Sequence, residues 1–268
     1  MWAIEQPRHP PERSLFADTP ASLLGALAAA ALATLVLVRV GALPGTALRV
    51  VGVAAGHGAL LATALGWAGA RVTAALVAIL LLALAATAAA LHPAGALAYA
   101  GVPLWLLCCA RRGALTHLGL ASPVPWRAVC GGAAVGAFLG GHLLVSASRT
   151  FGVRLRLDGW DLVLAAAAYD LGANVPAAES FFRGALFNRA QRRWPLAAAL
   201  ALSTAACVAR YMLDPLLPKS VELVVGAAFY VTLLSAANCW LFWWSGSLLP
   251  GMAAALVFFA AYRLLSPP

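Results

Sequence analysis

The feature that most constrains this chain is its series of long, uninterrupted apolar runs. The run Val72–Leu91, for example, contains no charged residue and consists mostly of Ala, Leu and Val. A bilayer core about 30 Å thick is spanned by a helix of about 20 such residues. Only helices and closed barrels satisfy their backbone groups in lipid, and the runs lack the alternation of period two that is typical of barrel strands. The sequence therefore predicts an all-α, multi-pass transmembrane helical bundle.

The composition supports this interpretation. Apolar residues make up 63% of the chain and charged residues only 10%, whereas soluble domains are about 45–50% apolar and about 25% charged. The net charge of +9 does not indicate a nucleic-acid partner, because the basic residues are spread through short loops rather than gathered on one face. An excess of Arg in short loops is what membrane topology requires. The expected partner is the lipid bilayer, in a cell membrane of bacterial inner-membrane type.

We predict nine apolar spans, of which the fourth is short enough to be re-entrant, so that eight or nine cross the membrane. Residues 1–20 are expected to form a cytoplasmic tail without a cleavable signal peptide, and residues 21–110 a first group of transmembrane helices. With the N-terminus inside, nine basic residues fall inside and seven outside, which leaves the orientation open. The spans are Ala21–Val38, Val50–Trp67, Val72–Leu91, Ala96–Ala110, Ala128–Ala147, Trp160–Phe187, Leu196–Leu213, Val221–Trp244 and Leu248–Leu264.

The fifth span contains a ladder of small residues, Gly132, Gly136 and Gly140. Glycines four residues apart lie on one helix face, and they let another helix backbone approach closely. We therefore expect this face to be a helix-packing seam.

Charged residues inside apolar spans are the strongest indication of a functional region. A charge at mid-bilayer costs about 2.5–3.5 kcal/mol on insertion scales, so such residues are usually paired or functional. Glu179 and Arg183 are four apart and share a helix face, which predicts a buried ion pair, with Arg210 neutralised by Glu179 or Glu222. The polar neighbours of these residues are Asp170, Asn174, Tyr211 and Asn238.

The histidines and cysteines predict no metal site. His57 and His142 lie alone in apolar spans without a second histidine at ligand spacing, so we expect hydrogen-bonded core residues. The cysteines lie in apolar runs and are expected to act as small hydrophobic residues rather than as disulfides or metal ligands. We predict no cofactor. The five cysteines are Cys108, Cys109, Cys130, Cys207 and Cys239.

The run from Pro176 to Leu186, which reads PAAESFFRGAL, resembles the first motif of the CAAX prenyl protease and bacteriocin-processing family, also called CPBP or Abi. That motif is Glu-Glu-x-x-x-Arg, usually followed by Gly, in a helix that ends near a basic loop. The resemblance extends over residues 118–264, and it implies the fold of an intramembrane glutamic-type endopeptidase for this core. Glu179, Arg183 and Tyr211 take positions that the resemblance makes catalytic.

The sequence departs from the family pattern at most catalytic places. Ala178 stands where the family has the Glu credited with activating water. In the second motif, Phe-x-x-x-His, Cys207 takes the Phe place and Tyr211 the His place. In the third, Ala255 and Phe259 take the His and Asn places. No histidine follows His142 in the chain, so no shift of the alignment restores the two histidines.

Three hypotheses follow. The first is a catalytically degenerate member that binds membrane-anchored peptides or proteins, as substrates or partners. The second is a divergent active endopeptidase that uses Glu179 as base with help from Tyr211 or His142. The third, which the sequence supports least because it shows no inverted repeat, is a small transporter with Glu179 and Glu222 in its path.

Overall fold

The computed structural model describes residues 14–16, 18–120, 124–151, 159–212 and 221–265. Within these residues the chain forms nine helical rods and no β-strand, so the predicted all-α architecture is confirmed. In chain order the rods are α1 Ala21–Arg39, α2 Gly45–Trp67, α3 Val72–Leu91, α4 Pro93–Arg111, α5 Trp126–Phe151, α6 residues 160–190, α7 Leu196–Met212, α8 Val221–Ser245 and α9 Leu249–Arg263.

The rods have the length and composition of membrane helices. The first five are each long and apolar enough to cross a membrane, while α7 and α9 are shorter apolar helices of 17 and 15 residues. The chain is therefore an integral membrane protein with a multi-pass helical bundle. The number of crossings, eight or nine, stays a prediction.

Prolines mark where several rods begin. Pro20 and Pro44 directly precede α1 and α2, and Pro93 and Pro250 lie in the first turns of α4 and α9. The first turn of a helix has no internal acceptor for its N–H groups, so a proline there removes no hydrogen bond, and its fixed φ suits the helix. The predicted spans nevertheless begin late at two of these places, at Val50 and Ala96, whereas the helices begin at Gly45 and Pro93.

Helix α6 is less regular than the others. It contains wide π-helical turns at Asp170–Asn174 and at Ser180–Phe187. Pro176 follows the first of these turns, and its ring would clash with the carbonyl four residues earlier in a regular α-helix. The wide turn relieves that clash, so Pro176 gives the distortion of α6 a local cause. Wide turns of this type often occur at functional sites.

The chain divides into two compact units. The N-terminal unit comprises the described residues within 13–116 and 158–181, and the C-terminal unit those within 117–157 and 182–265. The boundary falls inside the sequence of α6, between Phe181 and Phe182. The division of the chain predicted from sequence, with a core at 118–264, stays a prediction.

Within the N-terminal unit, close contacts fix α2 and part of α6. A Cβ added at Gly58 would lie 2.9 Å from Ile79, and one at Gly172 would overlap the Tyr99 carbonyl. His57 Nε2 and the Tyr169 hydroxyl share a hydrogen bond of 3.1 Å. His57 is buried, so the prediction of a hydrogen-bonded core histidine is confirmed here.

Within the C-terminal unit, α5 and α9 run parallel and pack along the glycine ladder. A Cβ at Gly132 would overlap the Pro250 carbonyl, and one at Gly136 would overlap the Ala254 carbonyl. At Gly140 an added Cβ would lie 2.7 Å from the Cβ of Ala261. The predicted packing seam is therefore confirmed, and it fixes the helix that carries Ala255 and Phe259.

Candidate functional site

Arg183 is the centre of a buried polar network in the C-terminal unit. Its side chain is 2% exposed. Nη2 donates to Ser235 Oγ on α8 over 2.7 Å, and Nη1 donates to Cys207 Sγ on α7 over 3.4 Å. A buried guanidinium needs such acceptors because it has lost its water. The arginine therefore links three helices through its hydrogen bonds.

A second bond holds α7 against the same stretch of α6. Ser203 Oγ donates to the carbonyl of Phe182 over 2.7 Å, and both residues are buried. Phe182 lies in the wide turn Ser180–Phe187, where the usual helical bonding of the backbone is altered. The Ser203 hydroxyl thus gives this carbonyl a partner and fixes the register of α7 beside Arg183.

Tyr211 lies one helical turn beyond Cys207 on α7, and the structure brings it to Phe259 on α9. Their ring centroids are 5.9 Å apart and the rings are tilted by 35°. The Arg210 guanidinium lies 4.4 Å from the Tyr211 ring centroid, a distance suited to a cation–π interaction. The two positions that resemble catalytic motif places are thus neighbours in space, and both carry aromatic rings.

A row of rings continues from Phe259 to His142. Phe259 contacts Phe258, and Phe258 contacts Tyr230, with centroids 5.5 Å and 6.2 Å apart. The Tyr230 hydroxyl forms a 2.7 Å hydrogen bond with His142 Nδ1. His142, which the active-endopeptidase hypothesis gives beside Tyr211 as a possible helper of Glu179, is therefore bound to Tyr230 at the opposite end of this row.

Glu179 belongs to the N-terminal unit, in the central part of α6. The consecutive residues 172–180 are all buried; Glu179 is 3% exposed and its neighbour Ser180 is 1% exposed. Earlier on the helix, Asn174 Nδ2 donates to Asp170 Oδ1 over 3.0 Å. The ion pair of Glu179 with Arg183 stays a prediction from their spacing, and the side chain of Glu222 lies outside the described residues.

The side chains at the remaining motif places cannot take part in hydrolysis. Ala178 and Ala255 are buried and apolar. Among the residues that the structure describes, no three His, Cys, Asp or Glu side chains form a group that could hold a metal ion. The polar side chains at or beside the motif places in the C-terminal unit are the Arg183 guanidinium, which bonds to Cys207 and Ser235, and Tyr211, one helical turn beyond Cys207.

Sequence reasoning did not identify Ser203 and Ser235 as members of this region. Both are single hydroxyl residues inside apolar helices, and small polar residues there often bond across helices. That signal exists in the sequence, but it does not say which partner they bind.

The fold and this polar network define a helical integral membrane protein with a buried arginine joined to two further helices. Residues 160–259 match the family model described as "Rce1-like: Type II CAAX prenyl endopeptidase Rce1-like". No curated protein and no solved structure gives a significant match to the chain. The match confirms the resemblance to the CAAX prenyl protease family over α6 to α9, and it ends at Phe259.

Proposed function

We propose that this protein is a catalytically inactive member of the CAAX prenyl protease family that binds membrane-anchored peptides or proteins in a cell membrane. The observation that carries the proposal is the ring pair of Tyr211 and Phe259. In the resemblance, these two places belong to a histidine and an asparagine. A packed pair of aromatic rings, of which Phe259 is buried and Tyr211 half-buried, thus puts an apolar contact and one hydroxyl in place of two polar catalytic groups.

The chemistry supports the same conclusion. Peptide hydrolysis needs a base for the attacking water and donors for the oxyanion that forms. Ala178 and Ala255 supply neither, and the sequence has no histidine after His142. The His142 ring is engaged by Tyr230.

Binding requires a fixed, accessible surface but no base or oxyanion donors, and the described residues retain such a surface. The Arg183 network joins α6 to α7 and α8, and the glycine seam fixes α5 against α9. Tyr211 is half-buried, so its ring remains accessible from one side. An apolar, aromatic surface with a hydroxyl and a guanidinium beside it suits an apolar peptide or a lipid-modified chain end.

One observation favours the alternative, a divergent active endopeptidase. Glu179 is a buried carboxyl group, and burial in a site with little water is the environment in which enzymes use carboxyl groups as general acids or bases. In this alternative Glu179 is the base and Tyr211 donates a hydrogen bond.

The deciding experiment uses the full chain in lipid nanodiscs with a prenylated peptide and with a membrane-anchored peptide. Mass spectrometry of the products is expected to show no cleavage. Cleavage that is abolished by Glu179→Gln would overturn the proposal and establish the divergent endopeptidase.

The proposed binding is tested by fluorescence anisotropy with fluorescently labelled versions of the same peptides. Saturable binding is expected, and it should weaken in Tyr211→Ala and in Phe259→Ala. Tyr262→Ala is the matched control, because Tyr262 lies on the same helix as Phe259 and its ring contacts Arg263 instead. Absence of saturable binding, or equal weakening in the control, would contradict a binding role for the ring pair.

A further inference from the structure

One end of the C-terminal unit is held together by hydrogen bonds between three separate segments. Asn188 Nδ2, at the end of α6, donates to the His117 carbonyl over 3.1 Å. The Leu248 N–H, before α9, donates to the Gly119 carbonyl over 3.2 Å. The starts of α5 and α9 and the end of α6 therefore lie at a common end, which we call the basic end for the residues described next.

The basic end carries four arginines, Arg127, Arg189, Arg192 and Arg193. Arg127 and Arg193 are exposed and the other two are half-buried. Arg192 is held in place, because its Nε and Nη2 donate to Asn188 Oδ1 over 3.3 and 3.2 Å. Positive charge is thus presented by a fixed part of the fold.

The chain segments that carry these arginines contain no acidic residue of their own. The sequence contains no Asp or Glu between Asp18 and Asp158, nor between Glu179 and Asp214. By contrast, the chain segments after α5 and after α7 contain Asp158 and Asp214 next to their basic residues. The segments that form the basic end therefore combine four arginines with no acidic residue in their own sequence.

Exposed tryptophans accompany the arginines. Trp126 at the start of α5 is 68% exposed, Trp194 after α6 is 50% exposed, and Trp244 at the end of α8 is 38% exposed. Trp240 stacks on Trp244 with ring centroids 5.8 Å apart. Tryptophans collect at the level of lipid headgroups, because the ring is apolar and the indole N–H is polar.

We propose that the basic end binds the headgroups of anionic phospholipids. The guanidinium groups supply donors for phosphate oxygens, with the planar geometry that suits two parallel hydrogen bonds. The tryptophans lie where the acyl chains of the same lipids begin. A soluble acidic partner would need no tryptophans at this level, so the combination favours lipid.

The test measures which lipids surround the full chain in nanodiscs. Brominated phosphatidylglycerol or brominated phosphatidylcholine is titrated in, and quenching of tryptophan fluorescence gives the relative affinity of the two lipids. Phosphatidylglycerol is expected to be preferred, and the preference should vanish at about 1 M salt, where charges are screened beyond about 3 Å. Each arginine near the surface should contribute about fivefold.

Two matched variants locate the effect. Arg127→Gln with Arg193→Gln removes two charges from the basic end and leaves Arg192 in place; Arg149→Gln with Arg263→Gln removes two charges elsewhere in the same unit. The first variant should lose most of the preference and the second should keep it. Equal affinity for both lipids in the unmodified protein, or equal loss in both variants, would overturn the proposal. So would full competition by inorganic phosphate, which would indicate a free-anion site.

Discussion

Helices α1 and α6 are both predicted membrane spans, but they have opposite surroundings. In α1, Thr34 is the one buried residue, and the helix contains no charged residue before Arg39. In α6, residues 172–180 are all buried, and the same helix carries Asp170, Asn174, Glu179 and Arg183. An apolar run thus does not by itself tell whether lipid or protein surrounds a helix.

The difference follows from what each environment can bond. Lipid chains offer no hydrogen-bond partner, so a polar side chain on a largely exposed helix bonds to its own backbone. Thr34, the one buried residue of α1, does so by donating to the Ala30 carbonyl. Protein can supply partners, as Ser235 does for Arg183. Polar groups are therefore tolerated on α6 because neighbouring helices accommodate them.

Arg183→Ala tests this comparison with the largest expected effect. Removing one member of a buried charged network typically costs about 3–5 kcal/mol, so the variant should lose that much stability or fail to accumulate as folded protein. Arg39→Ala at the end of α1 should change stability by about 0.5 kcal/mol or less. Heating followed by fluorescence-detected size-exclusion chromatography measures both, and equal losses would contradict the comparison.

A double-mutant cycle sharpens the same prediction. If Glu179 and Arg183 form the ion pair that their spacing predicts, Glu179→Ala combined with Arg183→Ala should cost less than the sum of the two single changes. Simple additivity would rule out the pair, because contacting residues couple and independent ones do not.

Much of the fold was predictable from sequence, for reasons that particular residues make clear. The apolar runs located all nine rods, although the predicted starts Val50 and Ala96 fell a few residues after the true ones beside Pro44 and Pro93. Gly132 and Gly136 predicted a close helix contact, although not that α9 would supply it. Local signals of this kind depend on the residue and its helix, and the sequence contains both.

The arrangement of the polar network was not predictable in the same way. Nothing in the sequence distinguishes Ser235 from Thr34, since each is a hydroxyl residue in an apolar helix. Only the packing of α6, α7 and α8 places Ser235 beside Arg183 and leaves Thr34 with its own backbone. The prediction that Tyr211 and Phe259 occupy related motif places came from the resemblance, and their contact came from the fold.

Ser235→Ala compares a hydrogen bond to a neighbouring helix with one that stays within a single helix. The hydroxyl accepts a hydrogen bond from a charged group, and such bonds contribute about 1.5–3 kcal/mol. Thr34→Ala removes a hydroxyl bonded within its own helix and should change stability by about 0.5 kcal/mol or less. Thermal unfolding in the same detergent compares them, and a loss at Thr34 as large as at Ser235 would show that a hydrogen bond to a neighbouring helix contributes no more than one within the same helix.

The smallest expected effects come from two Gly→Ala substitutions, one on α1 and one on α6. Gly25 on α1 has nothing within 4 Å of an added Cβ, whereas an added Cβ at Gly172 on α6 would overlap the Tyr99 carbonyl. Alanine stabilises a helix interior by roughly 0.5–1 kcal/mol relative to glycine, so Gly25→Ala should raise the midpoint of thermal unfolding. At Gly172 the same gain is opposed by overpacking against a backbone atom, which typically costs about 1–3 kcal/mol.

We therefore expect the two alanine variants to change stability in opposite directions, although the substitution and its intrinsic helix preference are identical. Gly141→Ala on α5 is a further control, since it also has open space around an added Cβ and should behave like Gly25→Ala. If Gly172→Ala were as stable as Gly25→Ala, the close approach of Tyr99 to α6 would be wrong. The buried environment of that helix, on which the comparison depends, would then lose its most direct support.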